Sequence, residues 1–541
     1  MIAGLFPKVR PRASAAGRRF RSVVAAVQEV DSETTDIASA RPYSEVPGPK
    51  PIPLLGNSWR FIPYVGTYQI SEVDKISKSL YENYGRIAKI EGLLGRPDLV
   101  FVFDPREIEK VMRGEEDMPH RPAMPSLHHY KHVLRKDFFA GDNAGLISVH
   151  GESWHKFRTR VQQPLLQPRV ARKFITPIDL TATEFLRKVR ELRDENLEVP
   201  PDFLDEVHKW ALESITRVVL GVRLGCLDSE HDEARQMINA VLTFFRNVGH
   251  LELRVPVWRV FNTPTLKKYI RALDVIKDTT LKNVGVALKQ WESRSPSEGG
   301  YDPYSWSDGD SLLRHVFTQT EDIQAASVLA VDMLLVGVDS TSVAVASTMY
   351  QLSQHQDKQE TLYNELKQVL PSPETPITNE HVDRMPYLKA VIKELMRMKP
   401  VVIGNGRMVT KDTAICGYII PKGKQVVFPH YVVSNLEENF PQPERFLPER
   451  WLKSGAGGGG AGEPCPWANH RAVHPFVSLP FGFGRRMCVG RRFAELEIQV
   501  VLAKMVRTFK IEHLHGPLEY SIQPMFTPDG PLNFKLTERP E

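Results

Sequence analysis

Between Glu321 and Leu352 the chain is apolar or small on nearly every side of a helix. Ala325, Val328, Leu329, Val331, Leu334, Leu335, Val336, Val343 and Val345 leave no polar stripe. A helix that is apolar all round has to be buried, so the rest of the chain must wrap around this segment. It does not read as a membrane span, because Asp332 and Asp339 interrupt it and a span needs about 18 residues nearly free of charge. The centre runs Leu335-Val-Gly-Val-Asp-Ser-Thr-Ser342. Gly337 inside a helix costs about 1 kcal/mol relative to Ala, and close approach of a flat ligand would supply a reason. Asp339 and Ser340 set an acid beside an alcohol, a pair able to pass protons while bulk water is kept out. Thr341 is turned about 100° away and is the weaker candidate.

A second constraint lies near the C-terminus, in Phe481-Gly-Phe-Gly-Arg-Arg-Met-Cys-Val-Gly490. It fits FxxGxRxCxG at all five fixed positions, too many for a chance match. A thiolate that ligates a heme iron needs its Cys on an open turn, with backbone N–H groups aimed at the sulfur to moderate its charge. Gly484 and Gly490 would permit the close approach. Arg486 could reach a heme propionate with its planar fork of donors. The competing reading is a buried structural Cys in a glycine-rich turn.

This loop resembles the heme-binding loop of the cytochrome P450 monooxygenases, and three further motifs fall in that family's order. Glu394-Leu-Met-Arg397 is similar to its ExxR helix, Phe446-Leu-Pro-Glu-Arg450-Trp451 to its meander, and Trp154-His-Lys-Phe-Arg158 to its WxxxR helix. ExxR or WxxxR alone would mean little; in order, with the Cys loop last, they are specific. The resemblance covers roughly residues 46 to 541. It implies a mainly α fold with a small β portion, and a long central helix over a thiolate-ligated heme b. Cys488 would be the axial ligand, and Trp154, Arg158 and Arg486 would hold the propionates. Gly337 and Phe481 would border the heme, while Glu394, Arg397 and Arg450 brace the ligand loop. Asp339 and Ser340 would handle protons. The family's AGxDT[TS] motif is departed from twice, with Val336 for the usual Ala and Ser340 for the usual Thr.

At 541 residues, length alone would suggest several domains of about 150 residues. No composition shift divides residues 46–541, so they read as one large domain. Cys226, Cys416, Cys465 and Cys488 are too few and too scattered for a disulfide framework, which fits a reducing compartment. The net charge of +5 is an N-terminal matter: residues 1–28 hold Lys8, Arg10, Arg12, Arg18, Arg19 and Arg21 and no acid. No basic nucleic-acid face is implied. Arg-rich, acid-free and without a long apolar run, this stretch has the traits of a mitochondrial presequence. Residues 29–45 extend it as a polar linker, giving a presequence and linker over 1–45.

Val46-Pro-Gly-Pro-Lys-Pro-Ile-Pro53 is too rich in proline for helix or central strand. Amphipathic patterns predict helices through 179–194, 203–220, 263–291, 355–370 and 379–398, with strands at Leu99–Phe103 and Gln425–Phe428. Residues 454–463, Ser-Gly-Ala-Gly-Gly-Gly-Gly-Ala-Gly-Glu, formally contain GxGxxG. Pro464, Cys465 and Pro466 follow instead of a helix, so the segment reads as a flexible insertion. His128, His129 and His132 read as surface histidines rather than a metal site.

Oxygen chemistry of this kind needs electrons, and the chain has neither a flavin domain nor a four-cysteine cluster site. Lys389 and Lys393 lie i, i+4 on one helical face. In the mitochondrial branch of the resembled family such paired lysines dock an acidic [2Fe–2S] ferredoxin, and Arg491 and Arg492 would add positive charge near the Cys loop. The resemblance, arthropod-like in flavour, implies a mitochondrial enzyme on the matrix side of the inner membrane, in peripheral contact with it. Its substrate would be a hydrophobic small molecule, steroid-like or cuticle-related. Pocket candidates are residues 122–140, Val402 to Asn405, and Phe526-Thr527. Two other readings compete. A heme-thiolate isomerase or dehydratase would need no external electrons, and so no acid–alcohol pair or docking face. A heme-based sensor would want an axial His and no proton route.

Overall fold

The computed structural model describes residues 37–122, 124–228, 232–293, 310–452, 473–522 and 525–540. The readings of residues 1–28 as a presequence and of 454–463 as a glycine-rich insertion lie outside these. Helices dominate. The central helix, Ile323–Gln354, is buried along nearly all its length. It is apolar and long enough to cross a membrane, but its apolar window lies mostly inside the protein. The helices Phe203–Leu220, Pro264–Glu292 and Arg491–Thr508 pack around it. Asp322 caps its start, accepting the Ala325 N–H at 2.9 Å. Its two interior acids are also paired, Asp332 with Lys131 and Asp339 with His208.

The β portion is small. Strands β1 (Ile87–Ile90), β2 (Leu99–Val102), β3 (Asn405–Met408) and β6 (Gln425–Phe428) form one sheet in the order β1-β2-β6-β3. Three two-stranded ribbons accompany it: β4 (Thr413–Ile415) with β5 (Tyr418–Ile420), β7 (Phe509–His513) with β10 (Phe534–Glu538), and β8 (Glu519–Ile522) with β9 (Phe526–Asp529). β2 and β6 pair in parallel, and the sheet carries its own apolar core, apart from the one around the central helix.

Two expectations need correction. The helix predicted over 379–398 is two helices, Asn379–Asp383 and Pro386–Met398. Pro386 pushes Met385 out of helical geometry and opens the second helix at its first position. The stretch before residue 46 is not all linker. The Arg41 N–H donates to the Gly417 carbonyl at 2.9 Å, its guanidinium lies 4.0 Å from the Tyr418 ring centroid, and the Tyr43 hydroxyl donates to Asp98 at 3.2 Å. The folded body therefore includes residues 41–45.

Candidate active site

The Cys488 loop is a set of tight turns leading into the helix Arg491–Thr508. Gly482 and Gly484 both take left-handed backbone, φ 71° and 72°, which L side chains rarely adopt. Gly490, with φ −81°, has ordinary backbone. Its contribution is different from the one expected: its N–H points at the Cys488 sulfur from the head of that helix. Cys488 donates its own N–H to the Phe481 carbonyl at 2.9 Å. Its side chain is accessible, although it lies deep in the protein. Burial pushes the thiol pKa up; the Gly490 N–H, Arg121, Arg158 and Arg491 act against that.

Beside this loop, arginines from four separate stretches converge. The Arg486 guanidinium carbon lies over Trp154, 3.5 Å from the ring centroid. It donates to the Pro119 and Val149 carbonyls at 2.9 and 3.0 Å. Its remaining arm, Nη2, is buried without a partner. Burial, then Arg121, Arg407 and Arg158, push its pKa down to about 9. Arg158 donates to the Met487 carbonyl at 3.0 Å, so one of its arms holds the Cys loop itself. Glu115, paired to Arg407, is the carboxylate felt by Arg486. His120 and His150 stack at 4.0 Å on the same side, and burial with neighbouring positive charge drives His150 to about 3. A buried, under-neutralised positive cluster with a donor left over suits a dianion such as a pair of propionates.

Arg121, Arg407, Glu115, His120 and His150 escaped the sequence reading. None stands in a recognisable spacing with the motif residues, and only the fold brings them together. The histidine reading also shifts. The His128 and His132 rings lie 4.2 Å apart, tilted by 39°, with His150 6.2 Å from His128, and His132 is half-buried rather than a free surface group. Among the described residues no cluster has the makings of a metal site.

On the central helix, Val336, Gly337 and Ser340 are the half-exposed positions in an otherwise buried middle. Ser340 donates its hydroxyl to the Val336 carbonyl at 2.7 Å, while Thr341 is buried. Gly337 has a neighbour the sequence did not suggest. A Cβ there would stand 2.1 Å from Ile215 Cδ1, so the close approach is to the helix Phe203–Leu220. Asp339 is buried and meets His208 Nε2 at 3.1 Å from the same neighbouring helix.

Glu394 lies at the centre of a closed network. It accepts two bonds from Arg397, each 2.9 Å, one from Arg450 at 3.2 Å, and one each from the Trp451 indole and the Leu447 N–H at 2.9 and 3.1 Å. Arg397 continues to the Ser434 and Pro443 carbonyls. Outside this knot Lys393 is exposed, 5.8 Å above the Trp451 ring. Lys389 is half-buried, 3.9 Å from Asp383. Arg491 and Arg492 share Glu495, at 2.8 and 3.7 Å, so they add less positive charge than a bare pair would. The Arg491 guanidinium covers Phe481 at 5.4 Å. Of the pocket candidates, Phe526 donates its N–H to the Val401 carbonyl at 3.0 Å, and β9 lies against the central helix.

Residues 46–535 match the Cytochrome P450 family. The chain is 51% identical over 514 residues to a probable cytochrome P450 49a1 of Drosophila melanogaster, covering 94% of this chain and 85% of that one. It is 46% identical to a probable mitochondrial cytochrome P450 301a1 of the same fly, over 93% of this chain and 88% of that protein. A probable mitochondrial cytochrome P450 12a5 is 36% identical over 93% and 92%.

Proposed function

Because the chain belongs to the cytochrome P450 family of heme monooxygenases, we propose that it is a mitochondrial enzyme hydroxylating a hydrophobic small molecule with electrons from a [2Fe–2S] ferredoxin. The observation that carries this reading is the accessible Cys488 thiol beside a buried arginine cluster with an unpaired Arg486 arm. When bound there, heme supplies the activation of dioxygen, with thiolate donation favouring O–O cleavage.

The chain's own residues do the rest. Cys488 would hold the heme iron through its thiolate, whose charge the Gly490 N–H moderates. Arg486, over the Trp154 ring, and Arg121 would hold propionates, while Arg158 ties the ligand loop to its own helix. Glu394, Arg397 and Arg450 fix the meander, and Phe481 would border the heme, with Gly337 contributing backbone alone, since the room left by its missing side chain is taken by Ile215. Ser340 donates protons and Asp339 restores them. The paired Asp339 and Ser340 favour this over a heme-thiolate isomerase, which would need no proton route.

Two relatives are named mitochondrial, and the basic, acid-free residues 1–28 support import to the matrix side of the inner membrane. Exposed Leu54, Tyr64, Val65, Val257, Val260 and Phe261 support peripheral contact with that membrane. The two segments carrying them are joined through the loop at 92–96: the Leu94 N–H donates to Ser58, and Arg259 donates to the Gly95 carbonyl. Lys389 and Lys393 form the ferredoxin contact, with Arg491 and Arg492 at its border.

The test is the ferrous–CO spectrum of Cys488→Ser and Cys488→His. Both should lose the thiolate-type band, since neither an alcohol nor an imidazole reproduces thiolate donation. The same band retained in Cys488→Ser would rule the ligand assignment out.

A further inference from the structure

We infer that His208, with Asp205 at its outer end, is a relay that recharges Asp339 with protons from solvent. The inference rests on the reading of Asp339 and Ser340 as the proton-handling pair. Geometry carries it. His208 is 1% exposed, and its Nε2 lies 3.1 Å from Asp339 Oδ1. On the other side of the ring, Nδ1 lies 3.7 Å from Asp205 Oδ1, and the Asp205 side chain is 60% exposed. That gap exceeds a hydrogen bond, and the relay requires the exposed Asp205 side chain, free to change rotamer in solvent, to close it. One imidazole thus spans from a surface carboxylate to a buried one adjacent in sequence to the working hydroxyl.

The two helices are fixed against each other on both sides of this contact. The Ser342 hydroxyl contacts the Val207 carbonyl at 3.2 Å, and Ile215 packs where Gly337 has no side chain. His208 therefore stays beside Asp339, and the motion left to its ring is rotation about its own Cβ–Cγ bond. A permanent cation in its place would neutralise Asp339 but pass nothing on. An imidazole can do both.

The charged groups acting on the ring are Asp205 from its own helix and Asp339 from the central helix, and Lys209 and Arg246 act on Asp205. Burial opposes the charged ring, but the two carboxylates outweigh it and hold its pKa above 6.5. The step balances as proton transfer alone. The imidazolium gives its Nε2 proton to the Asp339 carboxylate, leaving a neutral ring protonated on Nδ1 and a neutral Asp339. Asp339 replaces the hydroxyl proton that Ser340 has given up and becomes a carboxylate again. To reset, the ring makes a half-turn about Cβ–Cγ, exchanging Nδ1 with Cδ2 and Nε2 with Cε1, so that the protonated nitrogen lies on the Asp339 side and the bare one on the Asp205 side, where it takes a new proton from solvent.

The test uses the heme-loaded protein and three variants, His208→Gln, Asp205→Asn and Asp339→Asn. His208→Gln preserves a hydrogen-bond donor to Asp339 but cannot carry a proton. Histidine C2 hydrogen–deuterium exchange, read by mass spectrometry, reports the His208 titration independently of turnover. It should fall by about one unit or more in Asp339→Asn and by less in Asp205→Asn. With a mitochondrial [2Fe–2S] ferredoxin and its reductase, peroxide released per NADPH should rise several-fold in His208→Gln, with a larger solvent isotope effect. The CO spectrum should be unchanged. Parent-like peroxide yield in His208→Gln while Asp339→Asn is uncoupled would overturn the relay alone. A parent-like yield in Asp339→Asn would overturn the proton-pair reading and the relay with it.

Discussion

Glu394 and Asp339 are both buried carboxylates, 0% and 5% exposed, and they are held in opposite ways. Glu394 is surrounded by two guanidiniums, an indole N–H and a backbone N–H. Guanidinium, indole and backbone amide donors keep their protons. Asp339 meets a single imidazole, a group that can give one up. The first arrangement maximises permanence and joins distant segments into one piece. The second sets a carboxylate against a partner that can pass a proton on. Asp332, two turns earlier on the helix that carries Asp339, belongs with Glu394. It pairs with buried Lys131 at 2.7 Å and accepts the Leu146 N–H at 2.6 Å.

The largest effect should fall on the permanent knot. Glu394→Ala or Arg397→Ala leaves a buried charge uncompensated, at a cost of about 3–5 kcal/mol. Either variant should express poorly and lack heme. Full heme content in either one, measured by absorbance against total protein, would break the contrast, because the knot would then be dispensable.

Next come the two acids of the central helix, which should respond differently. Asp332→Asn strands Lys131 and should lower stability by about 3 kcal/mol or more. Asp339→Asn keeps a hydrogen-bonding side chain opposite His208 and should cost about 1 kcal/mol. Denaturant unfolding of the heme-loaded proteins measures both. Equal losses would mean that Asp339 is as structural as Asp332.

Much of this was legible in the sequence where a function depends on local spacing. Glu394 and Arg397 stand three apart on one helix, and the Cys488 loop declares itself within ten residues. The buried central helix followed from its apolar faces, and its ends fall at Ile323 and Gln354, close to the expected span. What stayed hidden depends on contacts across the chain. His208 reaches Asp339 across 131 positions, and nothing in the pattern of its helix marks it out from an ordinary half-buried histidine. Arg121 and Arg407 join Arg486 only because β3 and the segment after residue 114 converge beside the loop. The reason offered for Gly337 pointed to a flat ligand, whereas the close neighbour is Ile215. The propensity cost of a glycine inside a helix could signal a close approach there but not what stood opposite.

That glycine gives a smaller and more local test. Gly337→Ala gains about 1 kcal/mol in helix propensity and loses about 1–3 kcal/mol to overpacking against Ile215. The net should be a loss of up to about 2 kcal/mol by these figures, recovered when Ile215→Val is added. A double mutant no more stable than Gly337→Ala would show that Ile215 is not what excludes the methyl.

The smallest effect on the molecule itself should come from the surface, where permanence is not at issue. Lys393 lies exposed over Trp451, whose indole N–H reaches Glu394, so the proposed docking face rests directly on the knot. Lys389 is partly answered by Asp383 at 3.9 Å, which leaves Lys393 as the stronger member of the pair. Charge steering of an acidic ferredoxin weakens as salt screens it over about 8–10 Å. Reversing both to Glu should raise the ferredoxin concentration needed for half-maximal reduction several-fold at low salt, and flatten its salt dependence. Lys393→Glu alone should account for most of that. Heme content and the CO spectrum should stay normal, because neither lysine donates to Glu394. Arg491 and Arg492 share Glu495 and should make up little of the loss. Ferredoxin dependence unchanged in the double reversal at low salt would move the docking face elsewhere. Loss of heme in the same variant would mean that the surface and the knot are one unit, and that permanence extends further outward than the hydrogen bonds of Glu394 imply.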